Sequence, residues 1–414
     1  MKFNKAEKDW ILYDVANSAF VLILSATIPV YFRSIAEAQG VSPSDATSMF
    51  ALNTSIAVIL VAIMAPILGR VADQMRAKKS LFIGFLLMGI LGGLAFTITD
   101  HHALFIIFLL ISRVGYSMCN VFYDSMLTDV TTDENMDHVS GAGYAYGYVF
   151  STIPFIIGLA LILLKPFGLD VTLATKISFV ITMAWWIIFS IPLLKNYKQT
   201  HYLKETEAKG VFAGLADTLS KIFKNKQMLY FILAYFCYID GVYTIISQST
   251  NFGGEVGIST QGMIIALLFT QFVAFPFAII SGKLAKKFGQ IKMLIFYIMI
   301  YTVVAVIGFF MSQTWHFWLL AFLVGVAQGG IQAISRSYFG QLVPKEESNE
   351  YFGFFDIFGK FADFMGPLFM VASAKMFGTS KYGILALIIL FGLGIYFLNK
   401  VRKIELANAV EAVE

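Results

Sequence analysis

Twelve apolar runs recur along the chain, at about 10–33, 50–69, 80–98, 103–125, 141–164, 173–194, 228–250, 260–281, 291–311, 316–338, 351–372 and 382–400. Each is close to the roughly 20 residues an α-helix needs to cross a ~30 Å hydrocarbon core. The runs are apolar around most of their circumference, whereas barrel strands would be shorter and alternate apolar with polar residues. The pattern predicts an all-α polytopic membrane protein with twelve transmembrane helices. The widest polar gap, 195–227, separates an N-terminal six-helix bundle at 1–194 from a C-terminal six-helix bundle at 228–414 and reads as a cytoplasmic linker. Inside it, residues 211–219 fit either a short amphipathic helix lying on the inner membrane surface or a plain solvated linker.

The two sets of six runs are related. A loop after the second run, Gly69-Arg70-Val71-Ala72-Asp73 followed by Arg76, Lys78 and Lys79, returns at an offset of 213 as Gly282-Lys283-Leu284-Ala285-Lys286-Lys287-Phe288-Gly289. The same offset carries Val130 onto Val343 and Pro154 onto Pro367. Internal repeats of this size in a membrane protein point to a transporter.

Composition agrees with the span count. Hydrophobic residues make up 58% of the chain and charged residues 14%, against roughly 45–50% and 25% in an average soluble domain. Most of the 30 lysines and arginines lie before the first run, in alternate loops, in the linker and in the tail. Only Arg33, Lys165, Lys176, Lys375 and Lys381 lie on the opposite side, so both termini are expected in the cytoplasm. The net charge of +4 is therefore a topology signal and does not point to nucleic acid. The stretch after Lys2, Lys5 and Lys8 is long for a signal peptide and carries Asp14, so it reads as a retained first span. Cys119 and Cys237 fall within spans and suggest neither a disulfide nor a metal site.

Six charges fall inside the spans, where each costs roughly 2.5–3.5 kcal/mol on insertion scales and needs a partner, water or a function. Arg113, Asp240, Lys360 and Asp363 come near mid-membrane; Asp14 and Asp356 lie nearer the cytoplasmic side. Helical spacing sorts the polar residues into stripes: Asp14, Ser18 and Ser25; Arg113, Ser117, Asn120 and Asp124; Asp240, Thr244 and Ser247; Gln328, Gln332 and Ser335; and Gly353, Asp356, Lys360, Asp363 and Pro367. Five helices with one polar stripe each are expected to face a shared aqueous cavity. The alternative is that the charges pair and fasten helices, Asp356 with Lys360 above all. The spacings Gly89/Gly93 and Gly325/Gly329 mark close helix approach, either static or sliding.

A site with both signs suits a zwitterion. Arg113 or Lys360 would meet its carboxylate, an aspartate its ammonium, and Asn120, Tyr123, Thr244, Gln328 and Gln332 would complete the binding set. Four carboxylates against two cations make it natural for Asp240, then Asp363, to take up and release a proton during the cycle, with Asp14 a further candidate. No phosphate-binding loop, zinc spacing or nucleophile elbow occurs. An enzyme, an ATP-driven pump and a resident cofactor are not expected; the partners are the bilayer, a small solute and protons, acting on a monomer. Two other readings remain open: a carrier of amphipathic drugs or lipids, and a membrane sensor or assembly partner that transports nothing.

The paired loops resemble the signature of the major facilitator superfamily: Gly, three residues, Asp, then a basic cluster. The first copy keeps Gly69 and Asp73 but has Arg76 where the family usually has Gly; the second keeps Gly282 and Gly289 but has Lys286 in place of the acid. The resemblance implies the major facilitator fold and a cytoplasmic gate that includes these residues, Asp73 being the stronger lock. A more specific likeness lies in Trp10-Ile11-Leu12-Tyr13-Asp14-Val15-Ala16-Asn17-Ser18-Ala19-Phe20, Asp240-Gly241-Val242 with Thr244, Gly329 through Ser337, and Phe352-Gly353-Phe354-Phe355 through Lys360 to Gly366-Pro367-Leu368. These motifs resemble the autophagy-related vacuolar amino-acid effluxer family and its bacterial relatives. That implies a secondary transporter in a bacterial cytoplasmic membrane, with amino-acid efflux as the family activity. It marks Asp14, Asp240, Gln332, Arg336 and Lys360, with Arg336 either a gate residue or a helix-end brace.

Overall fold

A computed structural model describes residues 2–204, 210–255, 257–362 and 365–411. The helices α1 (Lys5–Ala38), α2 (Pro43–Gln74), α3 (Lys78–Ala95), α4 (His102–Val130), α5 (Asp133–Leu164) and α6 (Val171–Asn196) form the first six spans. α7 (Val211–Lys224) lies in the linker. α8 (Lys226–Glu255), α9 (Thr260–Phe288), α10 (Gln290–Phe309), α11 (Thr314–Leu342) and α14 (Lys381–Glu411) supply five more spans. The eleventh is described as α12 (Ser348–Ala362) and α13 (Met365–Phe377), on either side of residues 363 and 364. Among the described residues, twelve helical stretches are thus long and apolar enough to cross a membrane and no strand occurs.

Local chemistry sets the helix starts. Asn4 and Glu7 form a reciprocal capping box on α1, Ser42 caps α2 with Pro43 in its first turn, and Asp170 and Ser259 cap α6 and α9. The outward faces are apolar: Leu52, Ile59 and Ile63 of α2 follow helical spacing and are 60%, 52% and 58% exposed. Such a stripe is unfavourable against water and natural against acyl chains.

The helices run further than the apolar runs. Gly69 and Asp73 are the last turns of α2 and Gly282 and Lys286 the last turns of α9, not loop residues as the hydropathy suggested. The runs ended early because Arg70 and Asp73 are polar, yet both are buried against tertiary partners. The turn itself starts at Met75, and Arg76 adopts a left-handed φ of 51°. Gly289, its counterpart in the second copy, has φ 93°. The family's usual Gly at this position therefore answers a backbone need that Arg76 meets under strain.

The chain gathers into two compact units. Unit 1 comprises residues 1–132, 146–208 and 345–353; unit 2 comprises 133–145, 209–344 and 354–414. In unit 1, α1 packs on α6, and α4 on α2 and α3; in unit 2, α9 packs on α11, and α14 on α8, α10 and α13. Both Gly-xxx-Gly pairs serve this packing. A Cβ on Gly89 would come within 2.8 Å of the Trp186 ring, and one on Gly325 within 2.8 Å of Val273.

Candidate functional site

In unit 1 the end of α2 closes on the start of α12. One oxygen of Asp73 accepts the Asn349 side-chain amide at 2.5 Å and its backbone N–H at 3.3 Å; the other accepts the Glu350 N–H at 2.9 Å. A carboxylate thus sits on the N-terminus of α12, where the unsatisfied N–H groups and the helix dipole favour negative charge. Arg70 pairs with Glu350 at 2.9 Å and approaches Glu347 at 3.7 Å. Gly69 makes room: a Cβ there would lie 2.5–2.9 Å from the backbone of Asn349 and Glu350, and one on Gly353 about as close to Ala65 and Pro66.

This latch has a second tier. Lys78 is fully buried, donates to Asp129 at 2.7 Å and also reaches Ser125 O and Ser348 Oγ at 3.3 Å each. Ser125 Oγ in turn donates to Asn349 at 2.5 Å. Asp129 also accepts from Tyr197 Oη at 2.6 Å and from Thr200 and His201. Burial, reinforced by the Asp129 charge, pushes the Tyr197 phenol well above its ordinary pKa, so it stays a donor. Residues 197–203 lie as a strap across the turn. Gln199 accepts the Lys78 N–H at 3.1 Å and donates to Ala72 O, Leu203 N–H reaches Asp73 O at 2.9 Å, and the Arg76 guanidinium stacks over Tyr202 at 4.8 Å. Gln199 supplies the cap that Ala77, the residue preceding α3, lacks.

Unit 2 contains the related arrangement with different chemistry. A Cβ on Gly282 would lie 2.8 Å from Asp137 O and 3.1 Å from His138, so the end of α9 closes on the start of α5 as α2 closes on α12. Here the anions belong to the helix itself. Asp133, Glu134 and Asp137 occupy the first turns of α5, and Asp137 accepts from Gln290 at 2.6 Å and from Ser337. Lys286, exposed at the end of α9, stands where the first copy has Asp73 and is opposite in sign to these carboxylates. Arg336 completes the contact, donating to Ser140 Oγ at 3.0 Å and Ser140 O at 3.2 Å and stacking over Tyr144 at 4.2 Å.

The mid-membrane residues divide between the units. In unit 1 Arg113 is buried, donates to Thr54 Oγ1 and lies over the Phe50 ring at 4.6 Å. Asn120 accepts from Asn17 at 3.3 Å. Tyr123 is a core residue, stacked on Trp10 at 4.5 Å and tilted against Tyr13, rather than a lining one. Asp14 is buried in α1. In unit 2 Asp240 is fully buried; its carboxylate accepts the Gly366 N–H at 3.0 and 3.2 Å, on the first turn of α13, with Thr244 Oγ1 at 3.5 Å. Lys360 and Asp356 do pair, at 2.5 Å. Gln332 is half-buried on α11. Asp363 lies outside the described residues.

Beside Asp240 a cavity opens within unit 2, among α8, α9, α10, α11, α13 and α14. Thr244, Gln248, Thr270, Gln271 and Gln328 offer neutral hydrogen-bonding groups, and Met263, Leu267, Phe317, Leu320 and Val324 supply apolar wall. Among the described lining residues none is charged. Of the binding residues expected from sequence, Thr244 and Gln328 meet here, next to Asp240.

Sequence reasoning did not single out Asn349, Glu350, Gln199 or Ser140, and it marked Gly366 only as part of a motif. Asn349 and Glu350 carry one signal, a polar pair opening an apolar run. Gln199 carries none, since its role depends on where the chain folds after α6.

Twelve helices among the described residues long and apolar enough to cross a membrane, a closing contact repeated in each unit and a largely apolar cavity carrying neutral hydrogen-bonding groups fit a membrane-embedded transporter of the major facilitator type, moving a small solute. Residues 4–405 match the family described as "Vacuole effluxer Atg22 like", and the chain belongs to that family. It is 44% identical over 405 residues to an uncharacterized MFS-type transporter, YxiO, of Bacillus subtilis, covering 96% of this chain and 95% of that protein. It is 22% identical over 428 residues to autophagy-related protein 22 of Eremothecium gossypii, covering 87% and 83%. Among solved structures it is similar in fold to the major facilitator transporter FucP in its outward conformation, with a TM-score of 0.74 at 15% identity over 96% of this chain and 97% of that one.

Proposed function

We propose that this protein is a secondary active transporter that moves a small polar or zwitterionic solute such as an amino acid by alternating access, in the efflux direction and coupled to protons. The observation that carries the reading is Asp240: a fully buried carboxylate, held by the Gly366 N–H and one helical turn from Thr244, which lines a largely apolar pocket with a few neutral donors and acceptors. A buried carboxylate is costly when charged, and either a proton or a solute cation lowers that cost, so the two would compete for Asp240 and link its protonation to solute occupancy. Efflux is supported by the family's description alone. The Asp73 and Arg336 contacts would serve as the gate, released and remade as the cycle turns, on the cytoplasmic side of a bacterial inner membrane with both termini inside. Asp363, Asp14, Arg113 and Lys360 remain candidates for solute or proton contact, and the working unit is a monomer.

The test is counterflow in proteoliposomes across a panel of amino acids, with and without an imposed pH gradient. Exchange of at least one amino acid, accelerated by the gradient, supports the reading. No exchange under any gradient moves the weight to the second reading, a carrier of amphipathic compounds, which the apolar walls of the cavity favour.

A further inference from the structure

The linker helix α7 packs on α8 through Gly214, Thr218 and Ile222. A different side of it is apolar and uncovered: Phe212 is 77%, Leu219 37% and Phe223 60% exposed. At 100° per residue these three positions fall within about 40° of one another and form one stripe. Lys221 and Lys224 lie roughly 100° or more around the helix from that stripe, with Asp217 paired to Lys221 at 3.3 Å. Only Asn225 separates α7 from α8, whose span begins at Lys226. α7 is therefore held at the level where a transmembrane helix leaves the bilayer.

That location decides what the stripe meets. Two phenylalanines and a leucine facing water would each forgo roughly 1.5–3 kcal/mol of burial, and a solvated linker has no use for them. Residues 211–226 carry one acid, Asp217, against Lys221, Lys224 and Lys226, all three exposed. An apolar stripe flanked by three lysines against one acid, at the membrane surface, matches a leaflet with anionic headgroups.

We propose that α7 is an interfacial anchor whose partner is the anionic phospholipid leaflet: Phe212, Leu219 and Phe223 enter the acyl boundary while Lys221, Lys224 and Lys226 contact lipid phosphates. The anchor fixes the first residues of α8 at a set depth and gives the linker a lipid-dependent attachment. It does not depend on what solute is carried.

The test uses the full chain reconstituted in phosphatidylcholine vesicles with and without phosphatidylglycerol, in a Cys119→Ala/Cys237→Ala background. Leu219→Cys, Phe223→Cys and Lys221→Cys are each labelled with an environment-sensitive fluorophore. The account expects labels at 219 and 223 to be quenched several-fold more by doxyl-labelled lipid than by aqueous iodide, and the label at 221 to show the reverse. Lys221→Glu/Lys224→Glu should reduce lipid quenching at 223 in the anionic vesicles only. Iodide quenching at 219 and 223 equal to that at 221 would overturn the anchor, as would labels reached by neither quencher, which would mean a protein partner. Lipid quenching indifferent to phosphatidylglycerol and to the lysines would overturn the anionic-lipid assignment.

Discussion

Asp73 binds Asn349 through both its side-chain amide and its backbone N–H, at 2.5 and 3.3 Å, across 276 residues of sequence. With the Glu350 N–H on the second oxygen, this sets the acceptor oxygens of a carboxyl group on the start of α12. Asp73→Asn turns one acceptor into a donor that faces the N–H groups. The expected cost is about 1–3 kcal/mol to this contact. A Ser348→Cys reporter, buried at the start of α12, should then react several-fold faster with a membrane-impermeant thiol reagent than in the parent.

The glycine of the same contact is tested by size alone. Gly69→Val would drive side-chain atoms into the backbone of Asn349 and Glu350, which cannot swing aside as a flexible side chain would. Transport should fall at least tenfold with the protein still inserted in the membrane. Gly84→Val and Gly392→Val, where nothing lies within 4 Å, should leave transport within about twofold.

Arg76 holds a left-handed backbone in the turn after α2. Arg76→Gly relieves about 1 kcal/mol of strain but loses the Tyr202 stacking and the bond to Gln199 O, so thermal stability should change little. Arg76→Val keeps the strain, worsens it through branching at Cβ and loses the same contacts. A melting temperature several degrees below that of Arg76→Gly is the expected result.

The second copy should respond to charge in the opposite sense. Lys286→Asp sets a carboxylate toward the acidic first turns of α5, where Asp133, Glu134 and Asp137 already complement the dipole. A loss of about 0.5–1 kcal/mol that shrinks at high salt is expected. Repulsion should appear as faster thiol labelling of a Ser281→Cys reporter, buried beside Gly282, with little effect on Ser348→Cys.

Much of this architecture was legible in the sequence because the bilayer asks a simple question of each segment. Twenty apolar residues in a row answer it, and the repeat of Gly69 as Gly282 adds that the two halves are related. The amphipathic reading of 211–219 also found α7, though the helix continues to Lys224. Helix ends were harder. Hydropathy stopped at Gly69 because Arg70 and Asp73 are polar, while the helix continues because Glu350 and the N-terminus of α12 partner them. Those partners come from the far end of the chain, and no local pattern announces them. Tyr123, offered by the sequence as part of the binding set, has its ring stacked on Trp10 in the core of unit 1. A tyrosine fits a cavity wall and an aromatic core equally well, and only packing separates the two.

The central claim is that the Asp240 carboxylate links proton movement to solute movement, and one paired measurement bears on it most directly. Proteoliposomes with the parent and with Asp240→Asn are assayed side by side for solute counterflow and for transport driven by a pH gradient. The account predicts that Asp240→Asn, which keeps an acceptor for the Gly366 N–H, retains counterflow and loses acceleration by the gradient. Gradient-driven transport at the parental rate in Asp240→Asn would contradict it.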